Sequence, residues 1–576
     1  MSSFTCTLAA AAPATSLISL GPVDIAIVVI YFLFVIGIGL YLKRFTKTGN
    51  DFFMAGREMT AWIAGLSFIS ANLGALELLG WAGAAYQYGI LAVHWYWIGA
   101  IPAMLFLGIV MMPFYYVCKT NSVPGYLQLR YGGGTRALAA ICFAVMTILM
   151  SGINMFAMAI VMRVVLGWNL HLSIWVSSLT VGLYVGLGGL LSAIFNEVLQ
   201  FMLIWLGALL VPILGLYQAG GWNGMVHKIE RNVANGASYV HAWSTLGHFS
   251  TNPMGINWVG IVFGLGAVLS MGYWTTDFLV VQRVMAAKDL RSAKMAPIIG
   301  AAFKMFVPFI VILPGLLGLA LLPMKLYPQN YVQAHPAQHL FSYNEVLPLM
   351  LVRYCGPGLL GLGVTALIAG FMSGMAGNIS AFATVWTYDI YRPMINSRAG
   401  DAHYVAMGRW CTALGVLASI ATAYLAMHFQ SIMDYVQALF SFFIAPLFGT
   451  VVLGMLWKRA TKAGGFWGLL AGTLSSIAMY LLVKFDPPLL RYIALSDRAK
   501  PMADDMFRAL WCFLIGVAVT VIVSLATPPV AAGELRGLVL GCTDIPSEKR
   551  YPLIHRPIFW AVLIFAGLVV LNILFW

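Results

Sequence analysis

Long apolar runs separated by short polar stretches dominate the chain. About fourteen of them reach the roughly 20 residues that a helix needs to cross a hydrocarbon core of about 30 Å. They lie near 23–42, 60–82, 88–117, 136–165, 171–189, 192–218, 257–280, 298–322, 346–386, 405–427, 431–456, 463–483, 508–526 and 557–575. The ninth is longer than one span needs. The widest interval, near 219–256, leaves no room for a soluble domain. The pattern predicts an all-α polytopic membrane protein of about 14 transmembrane helices. Two runs are interrupted by small or polar residues: 60–82 by "SANLGALELLG" and 257–280 by "LSMGYWTTD". They are the second and seventh spans, five apart. Broken helices in matching positions of two halves point to inverted repeats with a binding site at the midplane. The competing reading is that these are packing notches, because glycine is common in membrane helices.

The repeat reading divides the chain into a tail over 1–22, a peripheral first helix over 23–42, repeats over 58–218 and 257–456, and peripheral C-terminal helices over 463–576. "MSSFTCTLAAAAPATS" lacks the basic segment of a cleavable signal, and Asp24 opens the first long run, so that run reads as a retained helix. Only 9% of residues are charged and 61% are hydrophobic, with a mean hydropathy of +0.88. The net charge of +13 is distributed as topology signals rather than as a nucleic-acid surface. Lys43, Arg44, Lys47 and Arg57 follow the first span, and most other basic residues fall in alternate loops thereafter; a cluster from Lys484 to Arg508 runs against the rule. The bias places a multi-pass protein in the cell membrane with both termini extracytoplasmic. The seven cysteines form no CxxC pair and no metal spacing. No cofactor is expected, the lipid bilayer is a partner, and oligomeric state is left open.

Between Glu58 and Lys119 the only charged residue is Glu77, inside "SANLGALELLGW". Lys304, in "AAFKMFVPF", is the only basic residue well inside a span. Ionisable groups at membrane depth are costly and usually line a site or pathway. The bland alternatives are a structural ion pair and a snorkelling lysine.

Six ordered blocks carry a family resemblance: "DFFMAGREMTAWIAGLSFISANLGALELLGWAG", "VGLGGLLSAIFNEVLQ", "YWTTDFLVVQRVMAAKDLRSAK", "AAFKMFVPFIVILPG", "ATVWTYDIYR" and "LGMLWKRATKAGGFWG". From about residue 50 to 465 the chain resembles the sodium/solute symporter family, nearest its sugar-transporting branch. The resemblance implies a core of two inverted five-helix repeats, each opening with a broken helix. It also implies solute import by alternating access, with Na+ as coupling ion. It assigns an ion site to the carbonyls of Ser70, Leu73 and Gly370 and to the hydroxyl of Ser373. The family carries a second hydroxyl at the next position, where this chain has Gly374, so one ligand is missing. Water or another carbonyl would have to substitute, or sodium binds weakly or not at all. Read without the family, the Ser373 hydroxyl would bond back to its own helix.

The same resemblance places Glu77 where the sugar branch has an amide facing the solute, so its oxygens can accept from the solute and can hold a proton. Lys304 matches a lysine of that branch and would pair with Glu77 or bond solute hydroxyls. Gln437 keeps an expected amide. Tyr96, Gly99 and Ser270 replace an acid, a serine and an asparagine, which makes the pocket more aromatic. Tyr273 and Trp274 keep the aromatic pair of the inner gate, with Asn72 holding the tyrosine. Trp81 is the implied outer gate, with Trp95 near the same mouth. Glu197 stands where the family has an aspartate near the inner ion exit; a solvated carboxylate at a helix end is the rival reading. The residues carry no HExxH, GxGD or metal-ligand cluster in a span, which argues against an intramembrane enzyme, and a transport-related sensor, which would need an attached soluble signalling domain, is not expected. The expectation is a secondary transporter of a sugar or polyol with Na+; a proton-coupled or ion-independent carrier of another small solute is the alternative.

Overall fold

The computed structural model describes residues 20–43, 49–120, 122–246, 252–322, 326–327, 341–429, 431–543 and 552–576. Nearly all of the expected tail over 1–22, together with Cys6, Arg44 and Lys47, lies outside the described residues. Among those described, regular structure is helical apart from a two-residue parallel pair, β1 (Leu326–Tyr327) and β2 (Phe341–Ser342).

The first half contains α1 (Pro22–Lys43), α2 (Ala61–Asn72), α3 (Ala75–Tyr88), α4 (Trp95–Val117), α5 (Gly133–Leu166), α6 (Leu170–Ala208) and α7 (Leu210–Ala219). The second contains α8 (Gly260–Thr276), α9 (Phe278–Met285), α10 (Leu290–Lys304), α11 (Pro308–Leu321), α12 (Leu359–Met394), α13 (Asp401–Ala426) and α14 (Ile432–Leu456). Helices α15 (Lys462–Phe485), α16 (Pro501–Ala526) and α17 (Pro557–Leu574) follow. Among the described residues ten helices are long and apolar enough to cross a membrane, or twelve if two bent pairs each count as one. Shorter apolar helices at Leu170–Leu179 and Gly260–Thr276 occupy the two remaining expected positions.

The span expected over 171–189 falls on α6 and the one over 192–218 on the rest of α6 and on α7, and the contacts reverse direction between the two. His171 meets Tyr424 and Gly182 lies against Val416, so the first arm descends α13 toward that helix's N-terminal end. Ser192 lies near Gly39, Gln200 bonds Tyr31, and Gly207 lies against Leu362 and Ala366, so the second arm climbs back toward the start of α12. Two antiparallel crossings result, as the hydrophobic pattern predicts.

The two broken spans also run antiparallel. Met59 pairs with Ala286 and Ala287, Phe68 contacts Trp274, and Asn72 bonds Tyr273, so numbers rise on α2 as they fall on α9 and α8. This is the inverted pair of helices that places a site at the centre. One bend escaped the hydrophobic pattern: α10 and α11 meet at 46° in the span expected to be straight over 298–322. Pro308 cannot donate into the preceding turn, which interrupts the helix there.

Small residues let the peripheral helices close. In α15 Gly464, Gly468 and Gly472 recur every four residues and face Ser524, Thr520 and Gly516 of α16. A Cβ on Gly468 would lie 1.8 Å from the Thr520 hydroxyl, so the close crossing requires glycine. Outward-facing side chains are apolar, as lipid contact requires: Leu33 and Phe34 of α1 and Val562 of α17 are more than half exposed. Asp24 is explained by a cap. Its Oδ1 accepts from the amides of Gly358 and Gly361, both at 2.7 Å, and docks α1 onto the start of α12.

Candidate functional site

The site grows from the break in the second span. Helix α2 ends at Asn72, Gly74 is extended (φ −84°, ψ 176°), and α3 leaves at 55°. Gly74 allows a close approach: a Cβ there would lie 3.3 Å from the Gly370 carbonyl oxygen and 3.5 Å from the Gly374 Cα. Backbone from α12 therefore presses into the break. Gly80, which flanks Glu77 on the other side, takes no part in the unwinding. It lies inside α3, where a Cβ would come within 2.3 Å of Met433.

Glu77 sits in the first turn of α3, where the helix dipole favours a carboxylate. Its Oε1 accepts from Lys304 Nζ at 2.8 Å and from the Tyr96 hydroxyl at 2.7 Å, and its Oε2 accepts from Trp81 Nε1 at 3.1 Å. Lys304 is the last residue of α10, at the bend, so its charge stands at a helix C-terminus. It also donates to Asn72 Oδ1 and lies 4.8 Å from the Tyr96 ring centroid and 5.0 Å from that of Trp274. Asn72 Nδ2 in turn donates to the Tyr273 hydroxyl at 2.9 Å. Of the alternatives open to Glu77 and Lys304, the structure holds the ion pair, with both side chains buried.

These groups line one cavity with about 80 Å³ open to water. Ser270, Gln437 and Trp95 line it too, as do Asn154 and Asn378. A Cβ on Gly99 would lie 2.2 Å from the Ser270 hydroxyl. The two departures from the family pattern at 99 and 270 thus answer each other: the serine on α8 takes the space left by the glycine on α4. Aromatic pairs close the cavity. Trp81 packs on Trp95 at 4.8 Å and on Tyr96 at 5.9 Å, whereas Tyr273 stacks on Phe440 at 4.8 Å. Trp81, Trp95, Tyr273 and Trp274 are all buried.

The four residues assigned to the ion converge beside the same break. Ser373 Oγ donates to the Ser70 carbonyl at 2.9 Å and lies 3.2 Å from the Ser70 hydroxyl. It bonds across to α2 rather than back along α12. A Cβ placed on Gly370 would lie 3.3 Å from the Leu73 carbonyl oxygen. Carbonyls and hydroxyls of this kind are hard oxygen donors of the sort an unwound helix offers to sodium.

Glu197 lies apart from the cavity and is fully buried, so it is not a solvated carboxylate. It accepts from Arg283 through both oxygens, at 2.6 Å and 3.3 Å, and from the Ser67 hydroxyl. Ser67 is nearly one turn before Ser70 on α2, which puts Glu197 close to the ion residues on the α9 side.

Residues 52–472 match the model of the sodium:solute symporter family. The chain belongs to that family. Members similar to it include sodium/glucose cotransporter 4 of Danio rerio, 28% identical over 528 residues covering 89% of this chain and 80% of the relative. Sodium/myo-inositol cotransporter 2 of Oryctolagus cuniculus is 30% identical over 483 residues, covering 81% of this chain and 70% of the relative. Among solved structures, a Na+-coupled sialic acid symporter in a substrate-bound outward-open state superposes with a TM-score of 0.71 at 18% identity, covering 89% of this chain and 99% of that one. That likeness establishes the fold. This symporter is therefore a multi-pass membrane transporter and not an enzyme.

Two residues escaped the sequence reading. Asn154, in "SGINMFAMA", and Asn378, in "MAGNISAF", are amides inside otherwise apolar helices, and both border the cavity. An amide at membrane depth is a signal of the same kind as Glu77, though weaker because it is uncharged.

Proposed function

We propose that this symporter imports a neutral sugar or polyol together with Na+ by alternating access about the break at Leu73–Gly74. The observation that carries the reading is the Glu77–Lys304 pair bordering a cavity floored by aromatic rings. Paired, the two side chains bring no net charge, so an ionic solute would enter without a partner and lose its hydration. A hydroxyl both donates and accepts, and it finds a carboxylate, an ammonium, the Gln437 amide and the Tyr96 phenol within one cavity. Tyr273 and Trp274 offer ring faces to the C–H face of a ring-shaped solute. The sugar and inositol relatives agree with this chemistry. In the proposal Trp81 with Trp95 forms the outer gate, Tyr273 held by Asn72 forms the inner gate, and Glu197 flanks the ion's inner exit. The repeats run over 58–218 and 257–456, and both termini are extracytoplasmic.

In the proposal, parting Trp81 from Trp95 opens the cavity on one side and parting Tyr273 from Phe440 opens it on the other. Equilibrium binding of a panel of hexoses, inositols, amino acids and carboxylates to the purified protein tests the substrate class. Saturable binding of a neutral polyol is expected; binding of an amino acid or carboxylate alone would overturn it.

A further inference from the structure

Gly374 removes a hydroxyl from the proposed ion site, and the structure shows what fills that space. A Cβ placed on Gly374 would lie 2.6 Å from Asn154 Nδ2 and 3.6 Å from Asn154 Cγ. The carboxamide, reaching in from α5, occupies the volume that a side chain at 374 would take. Asn154 is 3% exposed, and its Oδ1 has no hydrogen-bond partner among the described residues. A buried amide oxygen without a partner is costly, and such a group calls for an explanation, a bound ion among them. That oxygen lies 3.7 Å from a Cβ placed on Gly74, the same point that lies 3.3 Å from the Gly370 carbonyl oxygen. The unpaired oxygen and the Gly370 carbonyl therefore flank one spot beside the helix break.

We infer that the Asn154 carboxamide oxygen is a ligand of the coupling sodium ion, replacing the hydroxyl that Gly374 lacks, on the reading that this symporter binds sodium beside Ser70 and Ser373. Glycine at 374 and asparagine at 154 then form one exchange: the donor moves from α12 to α5, and the vacated space on α12 admits the longer side chain. A half turn about χ2 swaps Oδ1 and Nδ2, so the oxygen can face either Gly74 or Gly374 without moving the helix. Because Asn154 also borders the solute cavity, ordering its amide on the ion fixes a cavity wall, a direct route for sodium to raise solute affinity.

The test is equilibrium 22Na+ binding to the purified full-length protein, with solute binding measured in parallel. Asn154→Ala should raise the half-saturating sodium concentration by at least about tenfold. Asn154→Asp, which keeps shape and oxygen, should retain sodium binding and guards against a folding defect in the alanine variant. Gly374→Ser alone should weaken binding, since its Cβ meets the amide, whereas Asn154→Ala/Gly374→Ser should recover the wild-type concentration. An unchanged sodium affinity in Asn154→Ala, with Ser373→Ala impaired, would overturn the role of Asn154 and leave the sodium site standing. Loss of solute affinity alone in Asn154→Ala would reassign the residue to the solute and likewise overturn it. A wild-type protein with no saturable sodium binding would overturn both.

Discussion

Glu77→Gln separates an acceptor from an ion partner. Both Glu77 oxygens receive donors only: Lys304 and Tyr96 on Oε1, Trp81 on Oε2. A glutamine must turn its NH2 toward one of these. The less costly choice faces Trp81 and gives up one hydrogen bond, about 1 kcal/mol. The remaining oxygen still accepts from Tyr96 and Lys304, but the ammonium has lost its counter-charge in a site where it is 1% exposed. Removing one partner of a buried pair costs about 3–5 kcal/mol. Asn72 and the Tyr96 and Trp274 rings remain around Lys304 and hold the expected loss toward the lower end, about 3 kcal/mol in all. Lys304→Met removes the orphaned charge, so the double variant should recover at least about 1.5 kcal/mol relative to additivity. The assay is unfolding of the four proteins of the cycle in detergent, with solute binding measured alongside. Wild-type stability in Glu77→Gln, or strict additivity in the cycle, would refute the pairing. Normal solute binding in both Glu77→Gln and Glu77→Ala would show that Glu77 does not touch the solute.

Three further outcomes are expected. Glu197→Gln should destabilise the fold by about 3–5 kcal/mol, because Arg283 would be left charged at zero exposure; thermal unfolding reads this, and a change in sodium release without a stability loss would refute a structural share for the pair. Gly99→Ser should impair folding or solute binding by about 1–3 kcal/mol through overlap with Ser270, and Ser270→Gly in the same chain should restore it; failure of the rescue, by solute-binding titration, would dissociate the two positions. Ser373→Ala should abolish sodium stimulation of solute binding, since it removes the hydroxyl that bridges α12 to the Ser70 carbonyl; unchanged stimulation would place the ion elsewhere.

The spans were legible because each must bury a backbone of apolar length in lipid, and the break at Gly74 was legible because small and polar residues interrupt the period there. Glu77, Lys304, Asn72 and Tyr273 stood out as polar or aromatic residues where lipid or packing would not ask for them, and the structure brings all four into one hydrogen-bonded chain. Hydropathy could not reveal how distant positions compensate. Gly374 reads as a lost ligand until Asn154, 220 positions earlier, is seen filling its space, and Gly99 reads as a lost serine until Ser270 is seen beside it. The bend after Lys304 was missed because Pro308 lies in an otherwise unbroken apolar run, where a proline is tolerated in membrane helices. Glu197 offered two readings because its partner, Arg283, is distant in sequence and sits in what reads as a cytoplasmic loop.

A sodium gradient is proposed to drive a neutral polyol through this symporter. In proteoliposomes loaded with neither ion nor solute, an inward sodium gradient should accumulate radiolabelled hexose or inositol above its external concentration, and dissipating the gradient should release it. An equal inward proton gradient without sodium should give only equilibration. Accumulation driven by protons and indifferent to sodium, or equilibration alone under both gradients, would contradict it.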